Sequence, residues 1–235
     1  MRFLLLLLPF TCCFCQHDSE PVIEPTPPVD TPLYISYLAL GDSYTIGQSV
    51  PADERFPAQL IDSLLPHQIM GSARVIAKTG WTTAELDAAI AAAQPPVGNS
   101  YDIVTLLIGV NNQYRGYPLD QYETQFADLL EQAVIYAGSR PERVFVLSIP
   151  DYAYTPFGQN FNPTRISQEI DEFNAANKAI SLARGVHYID ITPISREGLQ
   201  DPTLVASDQL HPSGKMYARW VSLLKAEVVH ELKGE

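Results

Sequence analysis

Beyond residue 15 the chain has no cysteine: its three, Cys12, Cys13 and Cys15, all fall within the first fifteen positions. A chain processed near Gln16 would carry none, which removes a disulfide framework, a cysteine nucleophile and a cysteine-bound zinc together. Positive charge is scarce as well. Fifteen lysines and arginines stand against 27 acidic residues, giving a formal charge of −12 and a pI near 4.7. Such a surface repels phosphate backbones, so no nucleic-acid partner is expected. Long apolar runs are missing too. The one candidate, Phe3 to about Cys15, is too short to span a bilayer. Several motifs are also absent. There is no Gly-x-Ser-x-Gly elbow, no phosphate-binding loop and no His-Glu-x-x-His, and Gly41 and Gly47 lack dinucleotide-binding spacing. Nothing in this inventory calls for a cofactor or a metal.

What is present begins with a targeting pattern. Arg2 followed by the apolar stretch to Cys15 reads as a signal peptide over residues 1–15. Cys13 and Cys15 place small residues at the −3 and −1 positions of a cleavage site. Lipidation of one cysteine is the alternative, although Phe10-Thr11 before Cys12 suits a lipobox poorly. The expectation is export, to the periplasm or outside the cell, with a lipid anchor as the second option. Residues 16–33, rich in proline and acid, read as a disordered linker. One domain is expected over residues 34–235.

Within that domain, apolar runs alternate with helical spacing. Strands are predicted at Ile35–Leu40, Arg74–Ala77, Ile103–Ile108, Val144–Ile149 and His187–Ile191. Helices are predicted at Arg55–Leu65, Thr82–Ala93, Leu119–Ala137, Asn162–Arg184 and Pro212–Leu232. Thr82-Thr83-Ala84-Glu85 is a capping box, Asn162-Pro163 a helix start, and Gly138 and Gly185 helix stops. Met216, Trp220, Leu223 and Leu224 form the expected inward face of the last helix. The alternation predicts an α/β fold, a three-layer α/β/α sandwich around a five-stranded parallel sheet of flavodoxin-like type. In such sheets ligands bind beyond the carboxyl ends of the strands.

Chemistry gathers at those ends. Gly41 after the first strand permits a sharp turn that exposes Ser43. A serine hydroxyl is a weak nucleophile and needs a base. Of five histidines, His211 in Asp208-Gln209-Leu210-His211-Pro212 is the best placed. Pro212 keeps it out of helical geometry, in the N-cap region of the last helix. Asp208 is near enough to fix its tautomer, as a Ser-His-Asp relay requires. A histidine base predicts activity that declines as the pH falls through the ordinary imidazole range, about 6.5. The loop Asp151–Phe161 carries Tyr152, Tyr154, Phe157 and Phe161, which either wall a substrate pocket or cover the core. Trp81 is open to the same two readings.

Four blocks, in order, resemble those of the SGNH or GDSL hydrolases: Ala39-Leu40-Gly41-Asp42-Ser43-Tyr44, Lys78-Thr79-Gly80-Trp81-Thr82, Gly109-Val110-Asn111-Asn112 and Asp208-Gln209-Leu210-His211-Pro212. The resemblance implies Ser43, Asp208 and His211 as catalytic residues. It implies an oxyanion hole from the Ser43 and Gly80 amides and the Asn111 side chain, with neither metal nor cofactor. Asn112 departs from the aspartate common in the family, and is expected to support the oxyanion loop without charge. The implied activity is hydrolysis of a carboxylic ester or thioester through an acyl-enzyme. The aromatic loop favours a lipid-type substrate, as for a lysophospholipase. A carbohydrate O-acetyl ester is the alternative, and a non-catalytic binding module on the same fold is the rival. The partner is thus a small-molecule or polysaccharide ester.

Overall fold

The computed structural model describes residues 31–98 and 101–234; the expected signal peptide and nearly all of the expected linker lie outside them. Five parallel strands, β1 (Leu33–Gly41), β2 (Ile69–Ala77), β3 (Ile103–Leu107), β4 (Val144–Leu147) and β5 (His187–Ile189), lie in the order β2-β1-β3-β4-β5. The helices are α1 (Ser43–Ile46), α2 (Phe56–Leu64), α3 (Thr83–Ala93), α4 (Val110–Tyr114), α5 (Leu119–Tyr136), α6 (Pro163–Arg184), α7 (Thr192–Ser195) and α8 (Gly214–Lys233).

The strand order dictates the layers. The crossover from β1 to β2 runs one way along the sheet, and every later crossover runs the other way. Because parallel crossovers are right-handed, α2 lies on one face and α3, α5 and α6 lie on the opposite one. α8 packs on α2, while α5 packs on both α3 and α6. The sheet is the α/β/α sandwich expected, and its core strands β3 and β4 are buried at every position. The reversal falls between β1 and β3. Their carboxyl ends part there and leave a crevice, and this is where the chain places Ser43 and Asn111.

Local chemistry sets the boundaries. Thr82 and Glu85 form the capping box of α3, Asn162 accepts from the Arg165 amide at the start of α6, and Gly185 ends α6 at φ 75°. Four expectations need correction. β1 begins at Leu33, one residue inside the segment read as linker, because Leu33 pairs in register with Ile69. β2 begins five residues earlier than the apolar run suggested. Its first half, Ile69–Ala73, pairs in register with β1 at the sheet edge; Ile69 is buried, but exposed Gly71 and Ser72 interrupt the apolar run. Ser213, not His211, caps α8, since its hydroxyl reaches the Met216 amide. Leu223 faces outward at 44% exposure, while Met216, Trp220 and Leu224 are buried.

Among the described residues no helix is long and apolar enough to cross a membrane.

Candidate active site

Ser43 is the first residue of α1, directly after β1. Gly41 makes this junction possible through close packing: a side chain there would run into the Leu107 carbonyl and the Thr45 side chain. Asp42 caps α1 by accepting from the Tyr44 amide at 3.0 Å. Its carboxylate is fully buried, and burial drives its pKa up to about 7 against the pull of the Tyr44 amide and the Asn111 side chain. Ser43 is 4% exposed, and it lines the crevice. Among the described residues its hydroxyl makes no hydrogen bond.

His211 lines the same crevice from the other side. Its loop is braced by the bridge Val205–Pro212, by the Ala206 amide on the His211 carbonyl at 2.7 Å and by Gln209 at φ 64°. The His211 ring meets the edge of Tyr44, the neighbour of Ser43, at 5.6 Å between centroids. Its Nδ1 lies 2.6 Å from Asp208 Oδ2. The same carboxylate oxygen accepts from Ser49 Oγ at 2.6 Å, and Oδ1 accepts from the Leu210 and His211 amides. Partial burial works to raise the Asp208 carboxyl, but these donors outweigh it and hold the group at about 2. The histidine–aspartate link is therefore made, and the serine–histidine link is open in this resting geometry. Catalytic hydrogen bonds are often long without substrate and tighten when it binds.

The remaining expected residues arrive from the ends of β2 and β3. Gly80 has φ +84°, a backbone conformation that disfavours any side chain, and its carbonyl accepts from Arg115 at 2.6 Å. Its amide has no partner among the described residues. Asn111 sits in α4 and donates its side-chain amide to the Trp81 carbonyl at 2.9 Å and, more distantly, to Asp42 at 3.4 Å. Ser43, Gly80, Asn111 and His211 all border one cleft of about 180 Å³.

Asn112 is fully buried and locks α4 to α3. Its Oδ1 accepts from the Thr83 amide at 3.1 Å and its Nδ2 donates to Thr83 Oγ1 at 2.7 Å. Thr83 Oγ1 in turn donates to Gln125. An aspartate there would take the hydroxyl proton, and Gln125 would have to rotate its amide to donate back. That rearrangement is available, so Asn112→Asp should keep activity within about tenfold, whereas Asn112→Leu strands the Thr83 amide and costs ~1–3 kcal/mol of stability. Thermal melting with an ester assay checks both.

Of the aromatic loop, Tyr152 and Phe157 wall the cleft, with Tyr114 of α4. Tyr154 instead stacks under Arg196, and Phe161 is half exposed outside the cleft. Trp81 packs on the core and contributes its carbonyl, not its ring. Buried Asp151 fixes the loop by accepting from Ser167, Arg196 and the Ala153 amide, and the Phe157 amide donates to the Gln209 carbonyl. Ser49 and the Trp81 carbonyl were not foreseen. Neither has a local sequence signal, because each acts on a residue distant in the chain.

The sequence profile of the GDSL-like lipase/acylhydrolase family matches residues 39–219. No curated protein is similar to the chain by sequence. Among solved structures, the chain is similar to an esterase from Pseudoalteromonas sp. (18% identity, 85% of this chain and 97% of that one, TM-score 0.59). It is similar to an acetyl xylan esterase from Geobacillus stearothermophilus (21%, 84% and 96%, 0.61). It is also similar to a phospholipase A1 from Streptomyces albidoflavus NA297 (18%, 82% and 99%, 0.61). At these identities the structural likeness speaks for the fold.

Proposed function

From the premise that this chain belongs to the GDSL-like lipase/acylhydrolase family, and so hydrolyses ester bonds, we propose that it does so through an acyl-enzyme on Ser43, with preference for short acyl groups. The observation that carries this reading is the convergence of Ser43, Gly80, Asn111 and His211 on one small cleft, with His211 already bonded to Asp208.

Substrate enters with its carbonyl carbon over Ser43 Oγ. His211 Nε2 takes the hydroxyl proton as the Oγ–carbon bond forms, and Asp208 holds the ring in the required tautomer. Charge moves to the carbonyl oxygen. The Ser43 amide opens α1, a position where a helix supplies no partner for its N–H groups, and the Gly80 amide is free. Both are preorganised donors for that oxygen. Asn111 supplies the third donor by exchanging its long contact with Asp42 for the oxyanion. His211 then returns the proton to the departing alkoxide, and water repeats the sequence to release the acid.

The cleft is smaller than the roughly 300–1,000 Å³ that usually encloses a drug-sized ligand. Tyr152, Phe157 and Leu210 wall it with apolar surface, which suits an acetyl to butyryl group better than a long chain. Across a series of nitrophenyl esters, kcat/KM should peak at acetyl to butyryl and fall by about tenfold or more for long acyl groups, each tenfold corresponding to ~1.4 kcal/mol. A maximum at a long acyl chain or at a thioester would overturn the preference. Export of the chain is proposed from residues 1–15 alone, and the mass of the mature N-terminus tests it: cleavage near Gln16 supports secretion, and a diacylglyceryl cysteine supports the anchor.

A further inference from the structure

Beside the catalytic cleft, across a wall made by Tyr114 and Tyr152, runs a second, larger groove of about 470 Å³. Its lining combines rings and planar polar groups: Tyr114 and Phe161 with Gln113, Arg165 and Glu169. Tyr114 and Phe161 are 53% and 50% exposed, and their rings meet edge to face at 6.2 Å. Tyr152 abuts Tyr114 at 6.2 Å and Phe157 abuts Phe161 at 5.2 Å. One continuous aromatic ridge thus leads from the reacting centre to the groove. Two large rings left half in water beside an active site have no role in the core.

The polar side of the groove narrows the ligand class. Arg165 is neutralised by Glu169 at 2.7 Å, and the other oxygen of Glu169 accepts from Gln113 at 2.7 Å. A phosphate or sulfate would find no uncommitted cation there, and the chain's net charge of −12 further opposes an anionic headgroup. Gln113 itself is 6% exposed, and its buried Oε1 has no hydrogen-bond donor. A buried acceptor left unpaired is costly. An acyl chain has no proton to give it, whereas a hydroxyl-bearing ligand does once the amide turns toward the groove.

The geometry points to a glycan subsite: the alcohol portion of the ester is an oligosaccharide whose neighbouring sugar rests its C–H face on Phe161, against the edge of Tyr114, and its hydroxyls on Gln113, Arg165 and Glu169. This assignment rests on the ester-hydrolase reading above and names the substrate class of that site. It places the scissile acyl group in the small cleft and the sugar chain in the larger groove, with Tyr114 and Tyr152 between them.

The test compares an O-acetylated β-linked oligosaccharide, the matching monosaccharide acetate and nitrophenyl acetate, on wild type, Phe161→Ala and Phe161→Trp. Wild type should favour the oligosaccharide over the monosaccharide. In Phe161→Ala the ratio of kcat/KM for the oligosaccharide to that for nitrophenyl acetate should fall about tenfold, mainly through KM, and Phe161→Trp should restore it. A preference that survives Phe161→Ala, or no preference while nitrophenyl acetate is still cleaved, overturns the subsite and leaves the hydrolase reading intact. A loss confined to a long-acyl ester in detergent micelles assigns the groove to an acyl chain and also overturns it. Failure to cleave any of the esters overturns both readings.

Discussion

Ser43→Ala should lose about 10⁶-fold in kcat on any ester the protein accepts, with KM little changed, and His211→Ala should lose nearly as much. The double variant should be scarcely worse than either single one, since the proposed mechanism has the hydroxyl and the imidazole act as one unit. A residual of about 10³–10⁴ over water should remain in all three, supplied by the oxyanion donors and by binding. The arrangement of the site explains this expectation. The Ser43 and Gly80 amides belong to the backbone and survive the substitutions. Steady-state kinetics with a fast-leaving nitrophenyl ester, on variants shown to melt cooperatively, checks the prediction. Multiplicative losses would mean that the two side chains work separately.

Asp208→Asn is the second large effect, a loss of about 10⁴-fold in kcat. Oδ2 of Asp208 receives two donors, Ser49 Oγ and His211 Nδ1, while Oδ1 receives two backbone amides. An asparagine satisfies only one of these pairs. Whichever way its amide turns, an N–H group faces donors, and the imidazole is released or held in the wrong tautomer. The substitution also carries a pH signature. Burial alone would raise the carboxyl, but its four donors hold it at about 2 against an ordinary value of 3.8. The folded state thus binds this proton less readily than the unfolded one. Its stabilising contribution is complete above about pH 4 and is lost as the pH falls through 4 toward 2. Melting temperatures of wild type and Asp208→Asn should therefore differ at pH 7 and converge on acidification. A constant gap down to pH 2 would place the lost stability elsewhere.

Much of this molecule is legible in its sequence, and the illegible parts share a physical cause. β3 and β4 are buried on both faces, so their side chains had to be apolar and the runs show. The caps at Thr82, Asn162 and Gly185 are local chemistry and read directly. The first half of β2 is an edge in which only Ile69 is fully buried and Gly71 and Ser72 are exposed. With the apolar run broken there, pairing with β1 defines the strand, and pairing leaves no mark in a local window. α1 and α4 are four and five residues long, too short for a period to declare itself. The residues around Ser43, Gly80, Asn111 and His211 stand out because turn chemistry and family resemblance mark them. Ser49 and Asp208 are 159 positions apart, and the carbonyl of Trp81 could be anyone's carbonyl. Contacts of this kind are properties of the assembled sheet edge.

The aromatic loop divides in the same way. Four rings within eleven residues, Asp151–Phe161, read equally as cover or as wall. The buried Asp151, tied to Arg196 and Ser167, settles which rings turn inward. Tyr152 and Phe157 then face the cleft, and Phe161 is carried out to the neighbouring groove.

Covalent capture of the nucleophile tests the account most directly. Treated with a fluorophosphonate and digested, the folded protein should yield one modified peptide, the one containing Ser43. The adduct should vanish in Ser43→Ala and form far more slowly in His211→Ala. An active, folded enzyme that carries the label on another serine, or takes up none, would contradict the assignment of Ser43 as the residue that attacks the ester.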